Sequence, residues 1–287
     1  MSLSSRLQRV LPPSAVQALR PLNRLRWFTK AAQVRRYGAD WRADPFGVAA
    51  YVFWDPEVGD FSYDLRNREV FAAQLAEALG RSTADVLGWM AEAERHPVLD
   101  AELRRQLRGR WDLHRRPQFG PRLGWYAIVR ATRPRLVVET GIRHGLGALV
   151  LLAALERNAD EGHPGELVSI DSDPSSGSLV PPGRFANWTR IIGLSPDALK
   201  PAVAGRQVDV LIHDTPGAAG AEAGEYDLAL RNAADEVWLV SGSNGIQTSV
   251  LGDLAHAHGT NLYVIDEEPD HPVYPGVGMA LARFRRP

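Results

Sequence analysis

The chain contains no cysteine. That excludes disulfides, thiolate metal sites and a cysteine nucleophile, and it leaves the redox compartment open. No apolar run approaches the roughly 20 residues that a membrane-spanning helix needs. No internal repeat or low-complexity tract is present. Neither charge is in excess: 33 Lys and Arg against 34 Asp and Glu leave a formal net charge of -1. Whole-chain electrostatics therefore gives no argument for nucleic acid as a partner.

What is there is ordinary globular material. An apolar fraction of 45% with 23% charged residues over 287 residues fits one large domain or a core with an appendage. The basic amino terminus does not read as a signal peptide, because Pro12 and Pro13 interrupt its short apolar stretch. A soluble, cytoplasmic protein is the simplest expectation, with an oligomer left open.

The first 36 residues carry Arg6, Arg9, Arg20, Arg24, Arg26, Lys30, Arg35 and Arg36 and no acid. Val10, Leu11, Leu19, Leu22, Leu25, Trp27 and Phe28 are interleaved. Two readings stand: peripheral contact with an anionic membrane or a phosphorylated substrate, or a solvated arm that packs a few apolar residues. Pro12, Pro13 and Pro21 break any long amphipathic helix here. Residues 41–65 are rich in aromatics (Trp41, Phe46, Tyr51, Phe53, Trp54, Phe61, Tyr63) punctuated by Asp and Gly. They read as loops and short extended pieces, forming an acceptor wall or a hydrophobic cluster. Helical spacing follows at Glu69–Leu79, after a cap at Ser82 or Thr83, and at Glu102–Trp111.

Beyond Arg130 the pattern turns to strand–helix alternation. Strands are expected at Leu136–Glu139, Leu167–Asp171, Thr189–Ile192, Val208–Asp214, Val237–Ser241, Asn261–Asp266 and Gly278–Arg283. Helices are expected at Leu146–Arg157, Glu222–Ala234 and Ser249–His258. The first strands are almost wholly apolar, as in a parallel sheet covered on both faces. The last two are close enough for an antiparallel hairpin through Pro272–Gly276. The fold class is therefore α/β, a doubly wound, mostly parallel seven-stranded sheet over residues 121–287, behind a basic arm and mainly helical cap over residues 1–120.

The segment Arg135-Leu-Val-Val-Glu-Thr-Gly-Ile-Arg-His-Gly-Leu-Gly147 ends a strand in an acid, turns through glycines and enters a helix. Open α/β sheets bind ligands at such strand ends. Gly141, Gly145 and Gly147 do not have the G-x-G-x-x-G spacing of a dinucleotide site. Glu139 would also repel a pyrophosphate, which disfavours a nicotinamide oxidoreductase and suits a cationic or zwitterionic ligand. Asp171, ending the next strand, is placed to accept paired ribose hydroxyls. His213 and Asp214 close the fourth strand, where a base or metal ligand for a transfer reaction belongs.

Glu139-Thr-Gly-Ile-Arg-His-Gly145 and Ile170-Asp171 resemble motif I and the following acidic position of class I S-adenosylmethionine-dependent methyltransferases. The resemblance covers roughly residues 122–285. The Glu-Thr-Gly start and the Ile212-His-Asp214 strand end look most like small-molecule O-methyltransferases and cephalosporin-hydroxylase-like proteins. It implies a Rossmann-like catalytic domain at residues 121–287 that binds S-adenosylmethionine and methylates a small-molecule or glycan hydroxyl. Glu139 would then meet the methionine amino group, Gly141 and Gly145 would make room for the cofactor, and Asp171 would bind the ribose. Gly193 and Leu194 would lie along the adenine, and Asp214 or His213 would serve as base.

The metal half of the pattern is eroded. Metal-dependent relatives place a second acid and an Asn after the fifth strand, whereas this chain has Ser243 and Asn244. Asp214 and Asn244 are what remain as candidate ligands for a divalent ion such as Mg²⁺. The departure at Ser243 keeps a non-methylating relative, with another reaction or a binding role, as the alternative. His271 and Tyr274 are further pocket candidates, and His144 in the turn reads as solvent-facing.

Overall fold

The computed structural model describes residues 23–39, 41–53, 62–108, 110, 113, 116–215, 219–242 and 245–285. The chain separates into two compact units. The first takes in residues 1–61, 111–114 and 271–275, and the second takes in the remainder.

In the first unit, helix α1 (Asn23–Arg36) and helix α2 (Pro45–Phe53) pair around Val48, Tyr51 and Val273. Lys30 is fully buried, with its Nζ donating to the Tyr51 carbonyl at 2.6 Å and lying 4.2 Å from the Tyr51 ring centre. Tyr51 donates to Gln33 Oε1 at 2.5 Å. The expectation of loops and extended pieces across 41–65 is thus corrected at 45–53, where Phe46, Ala50 and Phe53 share one helical face. The run of residues before Asn23 lies outside the described residues.

The second unit opens with α3 (Arg68–Leu79) and α4 (Thr83–Arg95). Gly80 ends α3 in a left-handed conformation, and Ser82 with Asp85 forms a capping box at the start of α4. A π turn (Val98–Glu102), α5 (Leu103–Leu107) and α6 (Arg122–Thr132) follow. Helix α6 is absent from the expected helices. Its residues Leu123 to Arg130 are all buried, and Arg122, Tyr126 and Arg130 recur along it at helical spacing.

The strands are β1 (Leu136–Thr140), β2 (Glu166–Asp171), β3 (Trp188–Ile192), β4 (Val208–His213), β5 (Ala233–Ser241), β6 (Leu262–Ile265) and β7 (Met279–Arg285). They form one sheet in the order β3-β2-β1-β4-β5-β7-β6. The first five are parallel, and β7 runs antiparallel to both neighbours. This is the expected Rossmann-like, doubly wound sheet, including the antiparallel pairing of the last two strands.

Helices α7 (Leu146–Asp160), α8 (Ser195–Val203), α9 (Ala219–Arg231) and α10 (Gly245–Ala257) complete the layers. Leu136, Val138, Val168, Ile170 and Leu211 pack on Leu199 and Val203 of α8, Tyr226 and Ala229 of α9, and Leu251 and Ala255 of α10. Alternation along a strand sends Val137 and Glu139 to the other face, beneath α6 and α7. Strand β5 begins at Ala233 rather than Val237, because α9 ends at Arg231 and Ala233 already pairs with Val208.

Arg130 of α6 is the polar tie of the helical layer. Its buried guanidinium donates to Glu92 of α4 at 2.8 Å, to Asn158 of α7, and to Glu161 at 2.5 Å. Removing it leaves the fully buried Asn158 carbonyl without its donor. Arg130→Met should therefore destabilise the protein by roughly 2–3 kcal/mol, read as a lowered urea midpoint at unchanged slope.

Candidate active site

The functional candidates gather where β1, β2 and β4 end, and the alternation of β1 divides them between two faces. On the α6–α7 face, Glu139 is buried, and its Oε2 accepts from the Ser169 hydroxyl at 2.7 Å. Burial pushes its carboxyl up to about 8. The Ser169 hydroxyl opposes the rise, the Asp214 charge adds to it, Arg122 opposes it and Asp171 adds again. Glu139 Oε1 stands 2.5 Å from where a Gly147 side chain would begin, so the first turn of α7 closes directly over the acid. That helix starts at Gly145 without a side-chain cap. Its first N–H groups form a positive end beside a buried carboxyl, a pairing suited to a zwitterion. Trp125 of α6 approaches the same spot, and its buried indole N–H has no hydrogen-bond partner among the described residues.

The glycine turn is held by Asp171. Its Oδ2 accepts the Ile142 and Arg143 N–H groups, both at 2.8 Å, while Oδ1 accepts the Asp173 N–H at 2.8 Å. Gly141 and Gly145 have φ of +90° and +92°. A Cβ at Gly141 would stand 2.3 Å from the Asp214 carbonyl oxygen, and one at Gly145 would stand 2.8 Å from Gly177 Cα. Both absences are thus filled by the chain's own backbone, which draws the β4 end and the loop after β2 against the turn. His144 is half-buried there, and its carbonyl accepts the Leu179 N–H at 2.8 Å.

Asp214 follows β4 and is partly exposed, with Arg122 Nη2 3.8 Å from its Oδ2. Arg122, the first residue of α6, escaped the sequence reading along with its helix. After β3, the Gly193 N–H donates to the Asp171 carbonyl at 2.9 Å, and Leu194 stands 67% exposed at the start of α8.

On the opposite face, His213 is fully buried. Its Nδ1 lies 2.8 Å from Glu225 Oε2 of α9, a residue that sequence reasoning missed. The same carboxylate accepts from Thr140 Oγ1 at 2.7 Å and from the Ser195 hydroxyl. One buried acid therefore gathers the ends of β1 and β4 and the start of α8. Burial works against a charged imidazole, but the Glu225 hydrogen bond and charge, then Glu222 and Asp214, outweigh it and hold His213 above its ordinary value. Burial raises the Glu222 carboxyl as well.

Among the described residues no group of three or more His, Asp or Glu forms a possible metal site. Ser243 and Asn244 lie outside the described residues. His271 and Tyr274 belong to the first unit, where His271 packs edge-on to Tyr51 at 5.2 Å and Tyr274 edge-on to Tyr37 at 5.5 Å.

The sign of the His213 effect is set by its raised value. A base held more tightly protonated when folded contributes stability that is complete below its unfolded pKa and is lost as pH rises through the folded one. Glu225→Gln keeps an acceptor and removes the charge. It should lower the melting temperature most at mildly acidic pH, with the gap to the parent narrowing toward alkaline pH in melts recorded across that range.

Residues 138–243 match the family described as a methyltransferase domain. No curated protein matches the chain. Among solved structures, a Podospora anserina methyltransferase bound to S-adenosylhomocysteine is 14% identical, with 71% of this chain and 95% of that one covered at a TM-score of 0.46. An O-methyltransferase of Streptomyces achromogenes involved in tomaymycin synthesis, in complex with S-adenosylmethionine, is 13% identical over 84% and 96% of the two chains, with a TM-score of 0.43. A Bacillus cereus O-methyltransferase in complex with S-adenosylhomocysteine is 11% identical over 74% and 94%, with a TM-score of 0.42. The stretch from β1 to the end of β5 is thus the part of this chain that is similar to a methyltransferase domain, and it lies on the Rossmann-like, mostly parallel sheet described above.

Proposed function

We propose that the protein transfers a methyl group from S-adenosylmethionine to a hydroxyl oxygen of a small-molecule or glycan acceptor, in the cytoplasm. The observation that carries this reading is the methyltransferase-domain match over residues 138–243, with Glu139, the uncapped start of α7 and Asp214 at the same strand ends. In this reading residues 121–287 form the catalytic domain, and the helical segments before it serve acceptor binding.

The strand ends suit the cofactor's amino-acid part. Glu139 would take the ammonium group, and the free N–H groups opening α7 would take the carboxylate. Asp171 Oδ1 retains one lone pair for a ribose hydroxyl while the carboxylate holds the turn. Gly193 and exposed Leu194 offer an apolar edge for the adenine. Bound there, S-adenosylmethionine supplies an electrophilic methyl group. Asp214, partly exposed beside Arg122, is the base we assign to the acceptor hydroxyl. His213 faces the other side of the sheet and has a positioning part in this scheme, through Glu225. Asn244 remains as a metal ligand only if a divalent ion proves to be required, and titration of activity with Mg²⁺ and a chelator decides that.

Two measurements test the reading. Glu139 holds its proton below about 8 and offers a cation no charge in that form. Affinity for S-adenosylhomocysteine, by calorimetry, should rise with pH toward about 8, by up to roughly tenfold per unit, and should lose that dependence in Glu139→Gln. Absence of binding at millimolar ligand would overturn the proposal. Asp214→Asn should lower kcat for radiolabelled methyl transfer by about 100-fold or more while leaving S-adenosylhomocysteine binding within a few-fold.

A further inference from the structure

The first unit presents an apolar surface where solvent-facing helices normally carry charge. On α2, Phe46, Ala50 and Phe53 are all exposed, and their spacing places them within about 60° of one another around the axis. Phe46 is 85% exposed and Phe53 54%. On α1, Trp27, Phe28, Ala31 and Arg35 are exposed and lie within about 100°. The two stripes meet where Trp27 and Phe53 pack edge-to-face at 5.7 Å. Trp41, in the connecting turn, is 60% exposed with the Arg42 guanidinium 5.7 Å from its ring centre. Among the described residues the unit's buried core is Val48, Tyr51 and Val273, and these outer aromatics lie outside it.

Among the described residues, the exposed charges around this surface are mostly basic. Arg35, Arg36 and Arg42 are exposed, and the first 36 residues contain no acid. Asp44 is the single acid among the described residues of the hairpin, and its carboxylate accepts the Gly47 N–H at 2.8 Å.

From these observations we infer that the α1–α2 hairpin docks on an anionic lipid surface. Trp and Phe side chains insert at the headgroup boundary, and arginines beside them extend to lipid phosphates, their stems lying along the apolar layer. Charge decides between this occupant and a second copy of the chain. A twofold pairing through the same face would bring one mostly basic face against another, whereas an anionic bilayer complements Arg35, Arg36 and Arg42. Insertion of an interfacial helix pair needs no spanning segment, and no helix among the described residues is long and apolar enough to cross a membrane.

Sedimentation of the full chain with vesicles tests this. The chain should pellet with vesicles of phosphatidylcholine and phosphatidylglycerol in equal parts, stay in solution with phosphatidylcholine alone, and be released as salt rises past about 0.5 M. The double variant Phe46→Ser with Phe53→Ser, and separately Arg35→Glu with Arg36→Glu, should each weaken binding by about tenfold or more at an unchanged circular dichroism melt. A readout that does not depend on those variants uses the absence of cysteine. A polarity-sensitive dye on Phe46→Cys should shift to the blue with anionic vesicles, and the same dye on Asp160→Cys, at the far end of α7, should not. The inference fails if the full chain stays in the supernatant with anionic vesicles, or if the Phe46 and Phe53 variant pellets as the parent does. It also fails if light scattering finds a dimer that the same variant dissolves while vesicles recruit neither form.

Discussion

Neighbouring residues of a strand look to opposite sides of the sheet. At the end of β1 that rule sets Glu139 and Thr140 in separate chemical worlds, and the rest of the site follows from the division. One side holds an acid under the first turn of α7, with Ser169 and the Trp125 indole around it. The other holds a hydroxyl, an imidazole and a carboxylate in mutual contact, sealed by α8 and α9. Register carries the division across the sheet. Thr140 pairs with His213, while Glu139 pairs with Ser169, so each strand delivers its polar residue to the matching side.

The two sides have different work in them. The Glu139 side offers a buried carboxyl, negative once it releases its proton, beside the peptide N–H groups that open α7, which together suit a molecule bearing both charges. The His213 side offers nothing to solvent. Its carboxylate draws the β4 end, the β1 end and the start of α8 to one point, so the loops that rise from those elements begin from fixed positions. Buried polar clusters of this kind specify geometry when every member has a partner, at some cost in solvation.

Much of this was legible in the residues. The strands read clearly because a sheet covered on both sides needs continuous apolar runs, and Leu136 to Val138 or Val208 to Ile212 have little else. The acids at the strand ends stood out against those runs. Helix α6 was missed although Arg122, Tyr126 and Arg130 recur at helical spacing, and Arg122 was missed with it. Helix α8, absent from the expected helices, carries Pro196 in its first turn and Pro201 in its interior, where proline is disfavoured. Glu225 could not be found by spacing at all. It stands 12 residues beyond His213, and only the return of α9 onto the sheet brings the two together. The direction of His213 is what alternation from Glu139 dictates, once the register between β1 and β4 is known.

The buried carboxyl at the end of β1 has one more consequence. An acid that keeps its proton up to about 8 is mostly protonated at neutral pH. Any cation seated against it displaces that proton into the solvent. Ligand occupancy of this strand end is therefore also a proton-transfer event with the medium. The heat it produces will vary with the ionisation enthalpy of the buffer in which the protein is dissolved.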